Sequence, residues 1–229
     1  EVGPGDIESV MPILADHLEE PRVGPSYPNY FAAGLASQSV KVVLSGAGGD
    51  ELFGGYPWRY SSAFLESGND RFIDHYFQYW ERLISSEDHR HFFRPIWDLI
   101  SSVSPREIFL EFFQGDLNQC SPTELVNASL YFEAKTFLHG LLVVEDKLSM
   151  AHGLECRLPF LDNDLVDFAV QCPVSLKLDQ RDGGTKSYCS RDTTSGAQSG
   201  RRSDGKRILR TAMEAFSPPE ITTAEKQGF

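Results

Sequence analysis

Basic charge, cysteine and long apolar runs are what this chain has least of. Its 229 residues carry 21 Lys and Arg against 33 Asp and Glu, a formal net charge of -12. A nucleic-acid binder draws its affinity from a basic footprint, so that class is excluded, although a small local phosphate site is not. No run of about 18 apolar residues occurs, so no membrane span is expected. No signal-peptide pattern stands at the start. The cysteines are Cys120, Cys156, Cys172 and Cys189, none in a C-x-x-C pair. That usage reads as a reduced, cytoplasmic chain and not a disulfide scaffold. The patterns G-x-x-x-x-G-K-[ST], G-x-S-x-G and H-E-x-x-H are missing, and no internal repeat appears. His89 and His91 form an H-x-H pair with Arg90 between them and no carboxylate cluster nearby, which reads as solvated surface and not as zinc ligands. Asn127-Ala128-Ser129 matches a glycosylation acceptor but falls in an expected helix.

What is present centres on residues 41–56. Lys41-Val42-Val43-Leu44 reads as a short buried strand. Ser45-Gly46-Ala47-Gly48-Gly49 then reads as a tight loop, and Asp50-Glu51 suits the first turn of a following helix, where acids meet the positive end of the dipole. Leu52-Phe53-Gly54-Gly55-Tyr56 completes the stretch. Strand, glycine loop, helix is an arrangement that holds phosphate, because backbone N–H groups approach the oxygens closely. Asp50 would repel bare phosphate and makes sense there as a magnesium ligand. The plain alternative is a glycine turn that only joins a strand to a helix. Both readings stand on spacing alone.

Hydrophobic residues at 41% supply a sizeable core, and the 16 Phe suggest broad helix-packing surfaces. Ile7, Val10, Met11, Leu14 and Leu18 predict an amphipathic helix over 6–19. A loop over 21–28 and a short helix over 29–36 follow. Phe72, Tyr76, Tyr79, Trp80 and Leu83 fit one buried stripe, and shorter helices are expected over 92–100 and 107–113. Ser121-Pro122-Thr123-Glu124 is a capping box with Pro at the first helical position, opening a long helix to about Glu145. Asp162 is placed to cap a helix over 163–171, ahead of Pro173. Residues 179–205, rich in Gly, Ser, Thr, Arg and Asp, read as a flexible insertion. Helix returns over 206–216 until Pro218-Pro219. The expected organisation is one partial domain, with a strand and loop region over 1–60, a helical region over 61–178, the insertion, and a closing segment over 206–229.

Residues 146–162 interleave charge with apolar side chains at no clean period. Glu155 and Arg157 flank Cys156 and share one side of an extended segment, where they can pair. Charges in an apolar stretch are costly unless paired or used. A structural salt-bridge cluster and a functional site are both open readings.

Three segments together resemble the synthetase domain of glutamine-hydrolysing asparagine synthetases: Leu44 to Tyr56; Asp146 to Asp162, close to D-[RK]-x-S-M-A-x-x-x-E-x-R-x-P-F-L-D; and Lys226-Gln227-Gly228-Phe229. Glu19-Glu20-Pro21 is similar to the family's D-E-P. The resemblance implies an α/β nucleotide-binding domain of the ATP-pyrophosphatase type (adenine nucleotide alpha-hydrolase-like), mostly helical over these residues. It implies ATP and Mg2+ as cofactors, activation of aspartate to β-aspartyl-AMP with release of pyrophosphate, and attack by ammonia made from glutamine in a separate N-terminal glutaminase domain. By position, Ser45, Gly46, Gly48, Gly49, Tyr56 and Arg157 would contact the nucleotide, Asp50 would hold magnesium, and Lys226 would stabilise charge at the α-phosphate and acyl centre. Glu155 would shape the site. A homodimer is the family's suggestion.

Ala47 stands where many members have an acid, which removes a carboxylate or transfers its part to Glu51. Ala224-Glu225 replaces the usual R-P-type lead into K-Q-G-F. The family's S-G-G-x-D-S loop and its glutaminase cysteine do not occur here, and the chain opens at Glu1. The expectation is a piece of a longer protein, inactive alone. Two alternatives remain: another carboxylate-adenylating relative, such as a β-lactam synthetase or peptide cyclase, and a non-catalytic homologue serving protein interaction.

Overall fold

The computed structural model describes residues 3–20, 26–64, 69–81, 84–113, 119–178 and 205–222. In chain order the helices and strands are α1 (Pro4–Leu18), α2 (Ser26–Ser37), β1 (Val42–Leu44), α3 (Gly49–Phe53), α4 (Pro57–Tyr60), α5 (Asn69–Trp80), α6 (His89–Phe92), α7 (Trp97–Ile100), α8 (Pro105–Leu110), α9 (Pro122–Lys135), α10 (Phe137–Met150), β2 (Glu155–Arg157), α11 (Asn163–Gln171), α12 (Val174–Lys177), α13 (Arg207–Met213) and α14 (Pro219–Thr222). They form two compact units that interleave along the sequence. The first takes the described residues to Leu52 and those from Glu133 to Cys172; the second takes Phe53–Phe132 and the described residues from Pro173 on.

In the first unit, Val10, Leu14 and Leu18 line one side of α1 at four-residue spacing and pack on Val144 and Leu148 of α10, with Tyr30 and Phe31 of α2 against them. Met11, expected on this stripe, is exposed. Lys147 ties α10 to the end of α1: its Nζ donates to the Leu18 carbonyl at 3.0 Å and pairs with Glu19. That ammonium holds the Glu19 carboxylate below its usual range. Strands β1 and β2 pair in parallel, with Val43 opposite Cys156. Leu44 is 73% exposed and Val42 is also exposed, so β1 is not the buried strand its residues suggest. A buried parallel strand needs cover on both faces, and the sheet has two strands among the described residues.

The second unit is organised on Tyr76 of α5, which is 1% exposed. Its ring stacks on Phe72 at 5.6 Å and meets Trp80, Phe109, Phe113 and Phe132 between 5.9 and 6.1 Å. Its hydroxyl donates to the Ser129 carbonyl at 3.4 Å. Thus Phe72 and Tyr76 of the expected stripe are core, while Leu83 lies outside the described residues. The chain re-enters after the 179–205 segment, itself outside the described residues up to Gly205. There the Lys206 amide donates to the Phe53 carbonyl at 3.1 Å. Gly54, at φ +69, sits under Leu178, whose Cδ2 would lie 2.9 Å from any Cβ.

Several helix bounds differ from expectation. The single helix expected from Ser121 breaks at Thr136, whose φ of -115 and ψ of -66 leave helical values. A β-branched residue resists the helix interior, and a second helix starts there and runs to Met150. The stretch 146–150 is therefore helical. Over 92–100 Pro95 interrupts the expected helix, leaving α6, a single tight turn and α7. Pro28 lies inside the first turn of α2, where a missing N–H costs little, so that helix starts before the expected Asn29. Pro219 opens α14 and does not close α13, which ends at Met213. The caps match expectation. Ser121 and Glu124 exchange side-chain-to-amide bonds at 2.7 and 3.3 Å, and Asp162 Oδ1 accepts from the amides of Asp164 and Leu165.

Candidate functional site

The glycine loop leaves β1 at its carboxyl end. The Ser45 amide donates to the Arg157 carbonyl at 2.9 Å, the last rung of the parallel ladder. Ser45 Oγ then accepts the Ala47 amide at 3.1 Å, and the Gly49 amide donates to the Gly46 carbonyl at 3.3 Å. Two amides of the loop are thus engaged inside it. Gly48 has φ +89, and a Cβ there would meet Leu161 Cδ2 at 2.5 Å. The Phe160 ring lies against Gly49, so the Pro159-Phe160-Leu161 turn packs on the back of the loop. Gly46 is exposed, with open space where a Cβ would stand. Packing explains Gly48 and Gly49, while Gly46 faces open space. Asp50 and Glu51 fall in the first turn of α3.

The sheet brings two of the sequence segments side by side. Leu44 is in register with Arg157, so the loop and the Glu155-Cys156-Arg157 strand share one edge of the unit. Glu155 and Arg157 pair as their spacing suggests, Arg157 Nε to Glu155 Oε1 at 2.8 Å, with both side chains exposed. As an exposed pair it contributes little to stability. Asp50 is half-buried, and Glu51 is 2% exposed. Tyr56 belongs to the second unit, where the Arg59 guanidinium lies 3.6 Å from its ring centroid. Lys226 and the K-Q-G-F segment lie outside the described residues.

Two residues that sequence reasoning missed as a pair sit behind the loop. Cys156 Sγ donates to Glu145 Oε1 of α10 at 3.3 Å. Burial first, then the Glu145 carboxylate, push the Cys156 thiol up to about 11, and the Ser45 hydroxyl beside the sulfur opposes that rise. No periodicity links a helix residue to a strand residue in this way, so the sequence offered no signal for it. The fold favours the protonated thiol. Its contribution to stability is complete below the ordinary value near 9.0 and is lost as pH rises through about 11. Iodoacetamide should therefore alkylate Cys156 at pH 8 about 100-fold more slowly in the folded protein than in urea, as read by peptide mass spectrometry. Equal rates would show that the thiol is not held.

Among the described residues no group of three His, Cys, Asp or Glu is placed to hold a metal by itself. Magnesium at phosphate sites takes one or two carboxylates and completes its shell with phosphate oxygens and water. A single half-buried Asp50 beside the exposed Gly46 fits that use and no resident metal cage.

A glycine loop at the carboxyl end of a parallel strand, opening a helix, is an α/β arrangement, and in open α/β sheets the crevice outside the strand ends is where ligands bind. The chain belongs to the asparagine synthase family, whose model matches residues 1–229. It is 26% identical to asparagine synthetase [glutamine-hydrolyzing] 1 of Bacillus subtilis (strain 168), over 100% of this chain and 37% of that protein. It is 27% identical to a putative asparagine synthetase [glutamine-hydrolyzing] of Mycobacterium tuberculosis (strain ATCC 25618 / H37Rv), over 100% of this chain and 35% of that protein. Asparagine synthetase [glutamine-hydrolyzing] 3 of Bacillus subtilis is 26% identical over 94% of this chain and 32% of its own length. The chain thus spans about a third of the length of these relatives. No solved structure matches. No helix among the described residues is long and apolar enough to cross a membrane.

Proposed function

We propose that the protein to which these residues belong makes asparagine from aspartate at the expense of ATP, on a domain of the ATP-pyrophosphatase type. The observation that carries the reading is the juxtaposition of the Ser45–Glu51 loop with the Glu155–Arg157 strand on adjacent parallel strands. In this reading the β-carboxylate oxygen of aspartate attacks the α-phosphorus of ATP. Pyrophosphate leaves, and β-aspartyl-AMP forms. Ammonia, released from glutamine in a separate domain, then attacks the acyl carbon, AMP leaves, and the surplus proton passes to solvent. Gly46 lets the phosphates approach the backbone, Asp50 is the ligand for magnesium, and Arg157 lies at the same strand ends to meet negative charge. Magnesium, when bound through Asp50, neutralises charge on the leaving pyrophosphate.

Ala47 favours a second reading, a relative that activates another acid. Glu51, the neighbouring acid, is 2% exposed. One assay separates the two: release of AMP and pyrophosphate by the full-length protein with ATP, magnesium, each candidate acid, and ammonia or glutamine. Aspartate-dependent release of both, with asparagine formed, is expected. Turnover with a different acid alone would transfer the reading to the relatives, and turnover with none would leave a non-catalytic homologue. The 229-residue chain by itself is expected to show no aspartate-dependent ATP–pyrophosphate exchange.

A further inference from the structure

We propose that the second unit carries a binding site for a small organic ammonium ion, in a cavity lined by residues 111–113, Cys120 and one face of α9. The cavity measures about 420 Å³, within the range of small-molecule sites. All of its described lining belongs to the second unit. Phe113 and Leu125, both buried, supply apolar lining. Glu124, Ala128 and Tyr131 follow at four and three residues, so they share one face of the helix. The methyl group of Ala128 between two longer side chains leaves room there.

Charge decides what fits. Among the described residues that line the cavity, the charged ones are Glu111 and Glu124, with no Lys, Arg or His. Glu124 is fixed in place: its Oε2 accepts from the Ser121 amide and hydroxyl, each at 2.7 Å. Those bonds hold its carboxyl below the usual range, so it is ionised at neutral pH. The rings of Phe112 and Tyr131 stand 6.2 Å apart at 52° and border the same space. Aromatic faces attract an ammonium through the ring quadrupole, and carboxylates through charge. An anion would meet two carboxylates. A bare metal ion would want a cage of ligands, and no group of three His, Cys, Asp or Glu is placed to hold one among the described residues. Acids beside rings and apolar side chains select a cation that carries an apolar body.

The probe is benzyltrimethylammonium, titrated into the full-length protein and followed by ligand-observed NMR, with benzyl alcohol and benzoate as neutral and anionic comparators. A dissociation constant of about 1–5 mM is expected for the cation, about tenfold below that of benzyl alcohol, with no saturation by benzoate. Ala128→Phe, which fills the space, should abolish binding. Glu111→Gln, at an exposed position, should weaken it about threefold. Cys120, half-buried on the same wall, gives a second reading by peptide mass spectrometry. The preference of its thiol for a trimethylammonioethyl over a sulfonatoethyl methanethiosulfonate should be about tenfold greater in the folded protein than in urea, and benzyltrimethylammonium should slow the labelling. No saturation by the cation up to about 50 mM, or equal affinity for benzyl alcohol, would overturn the proposal. So would binding that survives Ala128→Phe, since the ion would then sit elsewhere. Should that variant lose its cooperative melt, an unchanged affinity in Glu111→Gln or no protection of Cys120 would overturn it.

Discussion

Alanine in place of Lys226 is expected to lower aspartate-dependent AMP release by the full-length protein by about 10²–10³-fold. Adenylation concentrates negative charge on the α-phosphate and the acyl oxygen as pyrophosphate departs. An ammonium at that point, the place the family resemblance gives Lys226, would stabilise the transition state more than bound ATP, so the loss should fall on the rate and leave Mg-ATP binding within about threefold. Lys226→Arg should recover little, because a guanidinium fork does not reproduce a compact point charge. Single-turnover rates and nucleotide titrations read the two quantities separately. A loss confined to Mg-ATP affinity, with the adenylation rate intact, would remove Lys226 from the chemistry and make it a binding residue.

Tyr76→Ala should destabilise the second unit by about 3–5 kcal/mol. The ring is 1% exposed and meets five other aromatic rings. Removing it leaves a cavity walled by flat, stiff groups that cannot collapse into it, and it forfeits edge and stacking contacts of about 0.5–1.5 kcal/mol each. Tyr76→Phe keeps the ring and gives up the 3.4 Å bond to the Ser129 carbonyl, so about 1 kcal/mol is expected there. Urea unfolding followed by the fluorescence of Trp58, Trp80 and Trp97 measures both. A cost under about 2 kcal/mol for the alanine variant would mean that the cluster relaxes around the hole and that Tyr76 is not its centre.

Legibility in the sequence followed the range of the interaction. Signals within four residues were readable: the Ser121–Glu124 box, the Asp162 cap, the acids of the first turn of α3, and the Glu155–Arg157 pair across one strand residue. The glycine loop was readable as a loop but not in its parts. Only the fold shows that Gly48 and Gly49 are small because Leu161 and Phe160 press on them, leaving Gly46 as the open position. The break at Thr136 was hidden by apolar spacing that continues through it. The Cys156–Glu145 bond joins a strand to a helix, and the interleaving of two units is a property of long-range contacts that no local pattern carries. The exposure of β1 was misread because β-branched residues report strand propensity, while burial depends on what lies above and below.

The pairing of β1 with β2 also sets a schedule for the nascent chain. Val42 meets Glu155 only after roughly 110 further residues have been made, and closing so long a span precedes any reward from the contact. At ordinary synthesis rates β1 waits on the order of 5–20 s for its partner. During that interval Val42, Val43 and Leu44 form an unpaired apolar edge beside the ribosome, the kind of segment that pairs with other chains. The aromatic cluster of the second unit draws mostly on residues to Phe132, which are synthesised while β1 waits. Slowing its collapse would lengthen the time β1 stays open, so a defect in one unit would surface as aggregation through the other.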